Sequence, residues 1–149
     1  MDKKLIKRLL EISYENQLHH LGSYFSCVET IDDIYSKMKK DDIFILSNGH
    51  AAVALYVVLE KYFNFNAQDL LNEMGEHPHR DELKKVHCST GSLGMGITVA
   101  VGRAIANKDR DVYCMISDGE CSEGSVWESL KFIYENDLNN LKVYVNANG

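Results

Sequence analysis

The chain has 149 residues, 45% of them hydrophobic and 26% charged, with a formal net charge of −6. That is enough chain for one globular core, and the negative balance argues against a nucleic-acid or anionic-membrane surface, which needs clustered Lys and Arg. No run approaches the ~20 apolar residues of a membrane-spanning helix. The stretch from Leu5 to Leu10 is broken by Lys7 and Arg8, unlike a secretory leader, so a cytoplasmic chain is expected.

In chain order, residues 3–18 read as an amphipathic helix with Leu5, Leu9, Ile12 and Asn16 on one face. A polar turn at His19-His20-Leu21-Gly22-Ser23 follows. A second helix, capped by Ser26 or Thr30, is expected to run to about Met38. Ile43-Phe44-Ile45-Leu46 is a short apolar run that reads as a buried strand. Ser47-Asn48-Gly49 then breaks the strand before an Ala-rich helix over residues 50–62. A helix near 67–73 and an irregular stretch from Gly75 to Ser89 lead to a glycine-rich loop, residues 90–96, which opens a helix to about Asn107. Residues 111–116 read as a second buried strand, residues 123–135 as a helix, and residues 141–145 as a third strand. The alternation predicts an α/β fold, a parallel sheet flanked by helices. In such sheets ligands bind outside the carboxyl ends of the strands. Asp118 and Asn148 both follow strand ends and fall on that rim.

The four cysteines, Cys27, Cys88, Cys114 and Cys121, lack C-x-x-C and zinc-finger spacing and are expected to be free thiols, with Cys114 in the core. Gly91, Gly94 and Gly96 would let backbone N–H groups approach a phosphate at a helix N-terminus. Alone, they equally describe a tight turn before a closely packed helix. Asp118 and Asn148 offer two hard oxygen ligands of the kind Mg²⁺ prefers, although Asp-Gly is also a common plain turn. Of the six histidines (His19, His20, His50, His77, His79 and His87), most fall in loops or at helix starts. There they are either idle surface groups or, brought together, proton carriers near pH 7. Glu120, Glu123 and Glu128 read as solvated charge.

Five blocks in this order make the pattern specific: His20-Leu21-Gly22-Ser23; Leu46-Ser47-Asn48-Gly49-His50-Ala51; His77-Pro78; Ser89 through Gly96; and Ser117-Asp118-Gly119-Glu120-Cys121-Ser122-Glu123-Gly124-Ser125-Val126-Trp127-Glu128. Together they resemble the N-terminal, diphosphate-binding region of transketolases, from about Glu15 to Asn148. The resemblance implies a thiamine-diphosphate-binding fold and two-carbon ketol transfer between sugar phosphates. It implies Asp118 and Asn148 as ligands of a Mg²⁺ or Ca²⁺ ion that holds thiamine diphosphate. His50, Gly91, Leu93 and Gly119 match cofactor-contacting positions, and Glu123 and Asn148 are assigned to cofactor binding as well. His20 and His77 match histidines that contact the sugar and assist proton transfer. Glu123 and Glu128 match an acidic network, at a subunit interface, that meets the cofactor-activating glutamate.

The sequence departs from the family pattern at Ser117, usually Gly and strained if φ must be positive, and at Ala147, Met95 and His87. The later strands of the domain, the pyrimidine-binding domain and the activating glutamate have no counterpart in residues 1–149. The expectation is therefore a sheet incomplete on its C-terminal side. The chain would act with a complementary subunit carrying the pyrimidine domain, in an oligomer whose active sites lie between chains, or would be a piece of a longer product. The competing expectations are a catalytically inactive fragment, serving as an interaction module or remnant, and a generic α/β phosphate-binding module.

Overall fold

The computed structural model describes residues 2–148; Met1 and Gly149, the ends of the expected domain, lie outside the described residues. Among the described residues, six helices and three strands follow one another as α1 (Lys3–Glu15), α2 (Leu21–Lys37), β1 (Ile43–Leu46), α3 (Ala52–Tyr62), α4 (Ala67–Met74), α5 (Met95–Ala106), β2 (Val112–Ser117), α6 (Gly124–Glu135) and β3 (Leu141–Asn146). Short 3-10 turns at Gly49–Ala51, Glu82–Lys84 and Gly119–Ser122 complete the set. The strands form a parallel sheet in the order β1-β2-β3, as expected for runs of Ile, Val and Leu that are buried on both faces.

Two apolar layers follow from the alternation of side chains along each strand. Phe44, Leu46, Tyr113 and Met115 face a core shared with α1 to α4. Ile43, Ile45, Val112, Cys114, Ile116 and Leu141 face a second core under α5 and α6. Helix α3 is apolar all round and buried from Ala52 to Leu59, because it lies inside the first layer rather than on its surface. Strand β2 is buried throughout, whereas β3 is only partly covered and Val145 is 51% exposed.

Three boundaries differ from expectation. Helix α1 stops at Glu15, where the Asn16 side chain donates to Ile12 O and Gln17 turns back at φ 54°. Asn16 is accordingly an exposed C-cap and not part of the buried face. Helix α2 starts at Leu21 without a side-chain cap, and the hydroxyl of Ser26 donates to Ser23 O one turn back, so Ser26 is interior to the helix. Helix α5 begins at Met95, directly after Gly94 at φ 74°.

Candidate functional site

The carboxyl ends of all three strands meet on one rim. Ser47 extends β1, and its N–H donates to Met115 O (2.8 Å). Ser117 pairs with Asn146, and the Asp118 N–H donates to Asn146 O (3.1 Å), which sets Asp118 and Asn148 just beyond adjacent strand ends. Both are exposed. Asp118 accepts from the Gly119 N–H (2.9 Å), which leaves most of its carboxylate lone pairs for other partners. The Asn148 amide nitrogen donates to Ser26 Oγ (3.3 Å), and this orientation keeps the amide oxygen as an acceptor. The same hydroxyl receives Asn146 Nδ2 at 2.8 Å, so α2 braces the end of β3.

The glycine loop is locked to this rim by close approach. Thr90 Oγ1 donates to Leu46 O (2.7 Å), and a Cβ on Gly49 would lie 2.6 Å from the Thr90 carbonyl. A Cβ on Gly96 would lie 2.5 Å from Ser47 Cα, so only glycine lets α5 start against the end of β1. Ser125 Oγ, in the first turn of α6, donates to Gly94 O (2.9 Å).

Glu120 joins these parts, contrary to its reading as solvated charge. It is fully buried. One carboxylate oxygen accepts from Ser47 Oγ (2.6 Å) and Gly94 N–H (2.9 Å), and the other from Ser117 N–H (2.9 Å). Ser117 is not among the residues at positive φ, so the expected strain does not arise; its backbone is an ordinary strand end tied to Glu120. Glu123 and Glu128 are exposed, as expected of solvated charge.

Three of the six histidines come together. The rings of His20 and His50 lie 5.4 Å apart, and the Gly91 backbone sits against the His77 ring, where a Cβ would be 3.0 Å from His77 Cδ2. Burial pushes the His50 imidazole below its ordinary pKa; the nearby His20 and His77 push the same way, and Glu120 opposes them. His87 is elsewhere, hydrogen-bonded to Glu82 at the other end of the sheet (2.5 Å). Burial raises the Cys27 and Cys114 thiols, so neither is poised as a nucleophile. Leu93 and Gly119 are exposed beside the loop and the Asp118 turn.

The residues suit an anionic cofactor held through a divalent cation. Two hard oxygen donors project from neighbouring strand ends, and Asn48 Oδ1, between Ser47 and the His50 turn, is buried without a hydrogen-bond partner. Among the described residues, no group of three or more His, Cys, Asp or Glu could hold a metal by itself, so a cation here would need ligand oxygens or water as well.

A parallel sheet whose carboxyl rim carries a glycine loop, an Asp-Gly turn and clustered histidines defines an α/β domain built for a phosphate-bearing ligand. The chain belongs to the transketolase family: residues 23–149 match its thiamine diphosphate binding domain. It is 34% identical to one of the subunits of the apulose-4-phosphate transketolase of Phocaeicola vulgatus, across 95% of this chain and 57% of that protein. It is 31% identical to 6-deoxy-6-sulfo-D-fructose transketolase subunit SqwG of Clostridium sp. (strain MSTE9), across 87% of this chain and 54% of that protein. Among solved structures, transketolase from Leishmania mexicana superposes with a TM-score of 0.64 at 27% identity, covering 79% of this chain and 20% of that one. The chain thus spans little more than half the length of these subunit relatives, and the reading as a generic phosphate-binding module falls away.

Proposed function

We propose that Asp118 and Asn148 hold a divalent cation, Mg²⁺ or Ca²⁺, which fixes the diphosphate of thiamine diphosphate. With a complementary subunit carrying the pyrimidine-binding domain, the chain then performs two-carbon ketol transfer between sugar phosphates in the cytoplasm. The observation that carries this reading is the register of β2 and β3, which puts the two oxygen donors just past adjacent strand ends. When bound, the cofactor supplies a nucleophilic thiazolium carbon. His50, Gly91, Leu93 and Gly119 line the cofactor. Gly91 brings backbone close to it without a side chain in the way, and Glu123 carries negative charge to the face shared with the second subunit. His20 and His77 hold the sugar and move protons at its hydroxyl and carbonyl oxygens. His50, held towards the neutral form by burial and by its two neighbours, can accept or donate a hydrogen bond near pH 7.

Calorimetric titration of thiamine diphosphate with Mg²⁺ tests this, using the chain alone and mixed with the complementary subunit. Binding is expected to depend on the metal, to appear with the partner, and to weaken at least ~100-fold in Asp118→Ala, since even outer-shell support of a metal is worth 10–100-fold. Asp118 is exposed, so the variant should keep its fold by circular dichroism. Failure to bind in every mixture, with a folded chain, would leave the inactive-fragment reading in its place.

A further inference from the structure

At the amino ends of the strands, opposite the rim, lies a cleft that the proposed activity does not use. Its cavity is about 310 Å³, within the range of small-molecule sites. One wall is aromatic: Tyr35, Tyr62 and Phe63 pack with ring centroids 5.7 and 6.2 Å from Tyr35, and Met38 extends this wall. The other lining is cationic, from Lys39, Lys40 and Lys85, with Lys85 Nζ 5.7 Å from the Phe63 ring centre. A second hollow of about 180 Å³ shares Lys40, Asp42, Lys85 and His87 with the first and adds Arg103 and Arg110.

Two unmet donors mark this place. Tyr35 is only 7% exposed, lines the cavity, and its hydroxyl is buried with no hydrogen-bond partner. Arg110 Nε in the second hollow is likewise buried without a hydrogen-bond partner, its ion pair with Asp109 spanning 3.9 Å. A buried donor without a partner costs about 1–3 kcal/mol, so both would gain from an acceptor. Among the residues lining the two hollows, five cations (Lys39, Lys40, Lys85, Arg103 and Arg110) outnumber three carboxylates (Asp41, Asp42 and Glu82) in a chain of net charge −6, with Asp109 paired to Arg110 and Arg80 to Glu82 beside them. Two of those carboxylates are already engaged. Asp42 accepts from the Lys39 and Asp111 N–H groups, and Glu82 binds Arg80, Arg103 and His87.

We propose that this cleft is a second binding site, for a small aromatic phosphate. Its ring packs against Tyr62, Phe63 and Met38, and its dianion takes the Tyr35 hydroxyl and the lysine ammonium groups. The site is separate from the cofactor rim and stands or falls independently of it.

Titration of the ¹⁵N-labelled chain with phenyl phosphate, inorganic phosphate and phenol, read by amide chemical shifts, tests the proposal. Phenyl phosphate should bind saturably, with shifts centred on Tyr35, Lys40, Phe63 and Lys85. Tyr35→Phe should weaken it roughly tenfold, the worth of one hydrogen bond to a charged group, while raising the melting temperature of the unliganded chain by removing a buried unpaired hydroxyl. Lys85→Gln should weaken it too. Absence of saturable shifts at millimolar phenyl phosphate, or unchanged affinity in Tyr35→Phe, overturns the site. So does equal affinity for inorganic phosphate, which would discard the aromatic wall, or for phenol, which would discard the cations.

Discussion

Glu120 has no contact with solvent, yet its two oxygens accept from three residues in three parts of the chain, Ser47, Gly94 and Ser117. Truncation to Ala would strand all three. Breaking a buried charged interaction of this kind costs about 3–5 kcal/mol. Glu120→Gln is the sharper test: either orientation of the amide sets its NH₂ against a backbone N–H, of Gly94 or of Ser117. A loss of about 2 kcal/mol is expected in urea denaturation, although shape and volume are kept. His50 offers a second test. Its pKa is lowered, so the unfolded chain takes up its proton first as pH falls. The stability His50 contributes is present above about 6.5 and is lost on acidification through the folded-state value. Because His20 lowers the His50 value, His20→Asn should move it up in a proton NMR titration. The rim histidines and Asp118 were legible in the sequence through ordered motifs. Glu120 was not, because its partners lie 73, 26 and 3 residues away and no local periodicity marks a residue in a 3-10 turn.

At the level of elements, the short apolar runs disclosed all three strands, since a strand buried on both faces needs an unbroken run of large side chains. Helix starts were less legible. Helix α2 lacks a capping side chain and carries Gly22 and Ser23 in its first turn, so local propensity favoured a loop, and packing of Tyr24, Cys27 and Val28 overrode it. Helix α5 holds two glycines with opposite consequences. Gly96 abuts Ser47 backbone, so Gly96→Ala should cost about 1–3 kcal/mol through overpacking and push the glycine loop off the rim. Gly102 has open space where a Cβ would go, and Gly102→Ala should stabilise the helix by up to ~1 kcal/mol. The midpoints of the two variants in urea should shift in opposite directions.

On the scale of the whole molecule, the sheet grades from a fully buried centre to a partly covered β3. Hydrogen exchange should follow this gradient: β2 amides, flanked on both sides, should open only with global unfolding, and β3 amides at least ~10-fold faster through local opening. The α/β class and the parallel sheet flanked by helices were readable from sequence because each rests on local pattern. The cleft at the amino ends was not, since Tyr35, Tyr62, Phe63 and Lys85 come from separate segments that only the packed fold brings together.

The strand order also has a consequence for how the chain acquires its shape during synthesis. Among the described residues, strand β1 pairs only with β2, where Ile43 pairs with Val112, so it must wait while α3, α4 and α5 are made. Ser47 and Gly94 likewise emerge from the ribosome before Glu120, their shared acceptor. Nascent chains shorter than about residue 120 therefore carry β1 without its sheet neighbour and a glycine loop without its Glu120 anchor. Such long-range closure folds slowly and leaves the early half exposed to aggregation. The carboxyl-end rim is thus among the last features to form, and its assembly reports that the rest of the sheet is already in place.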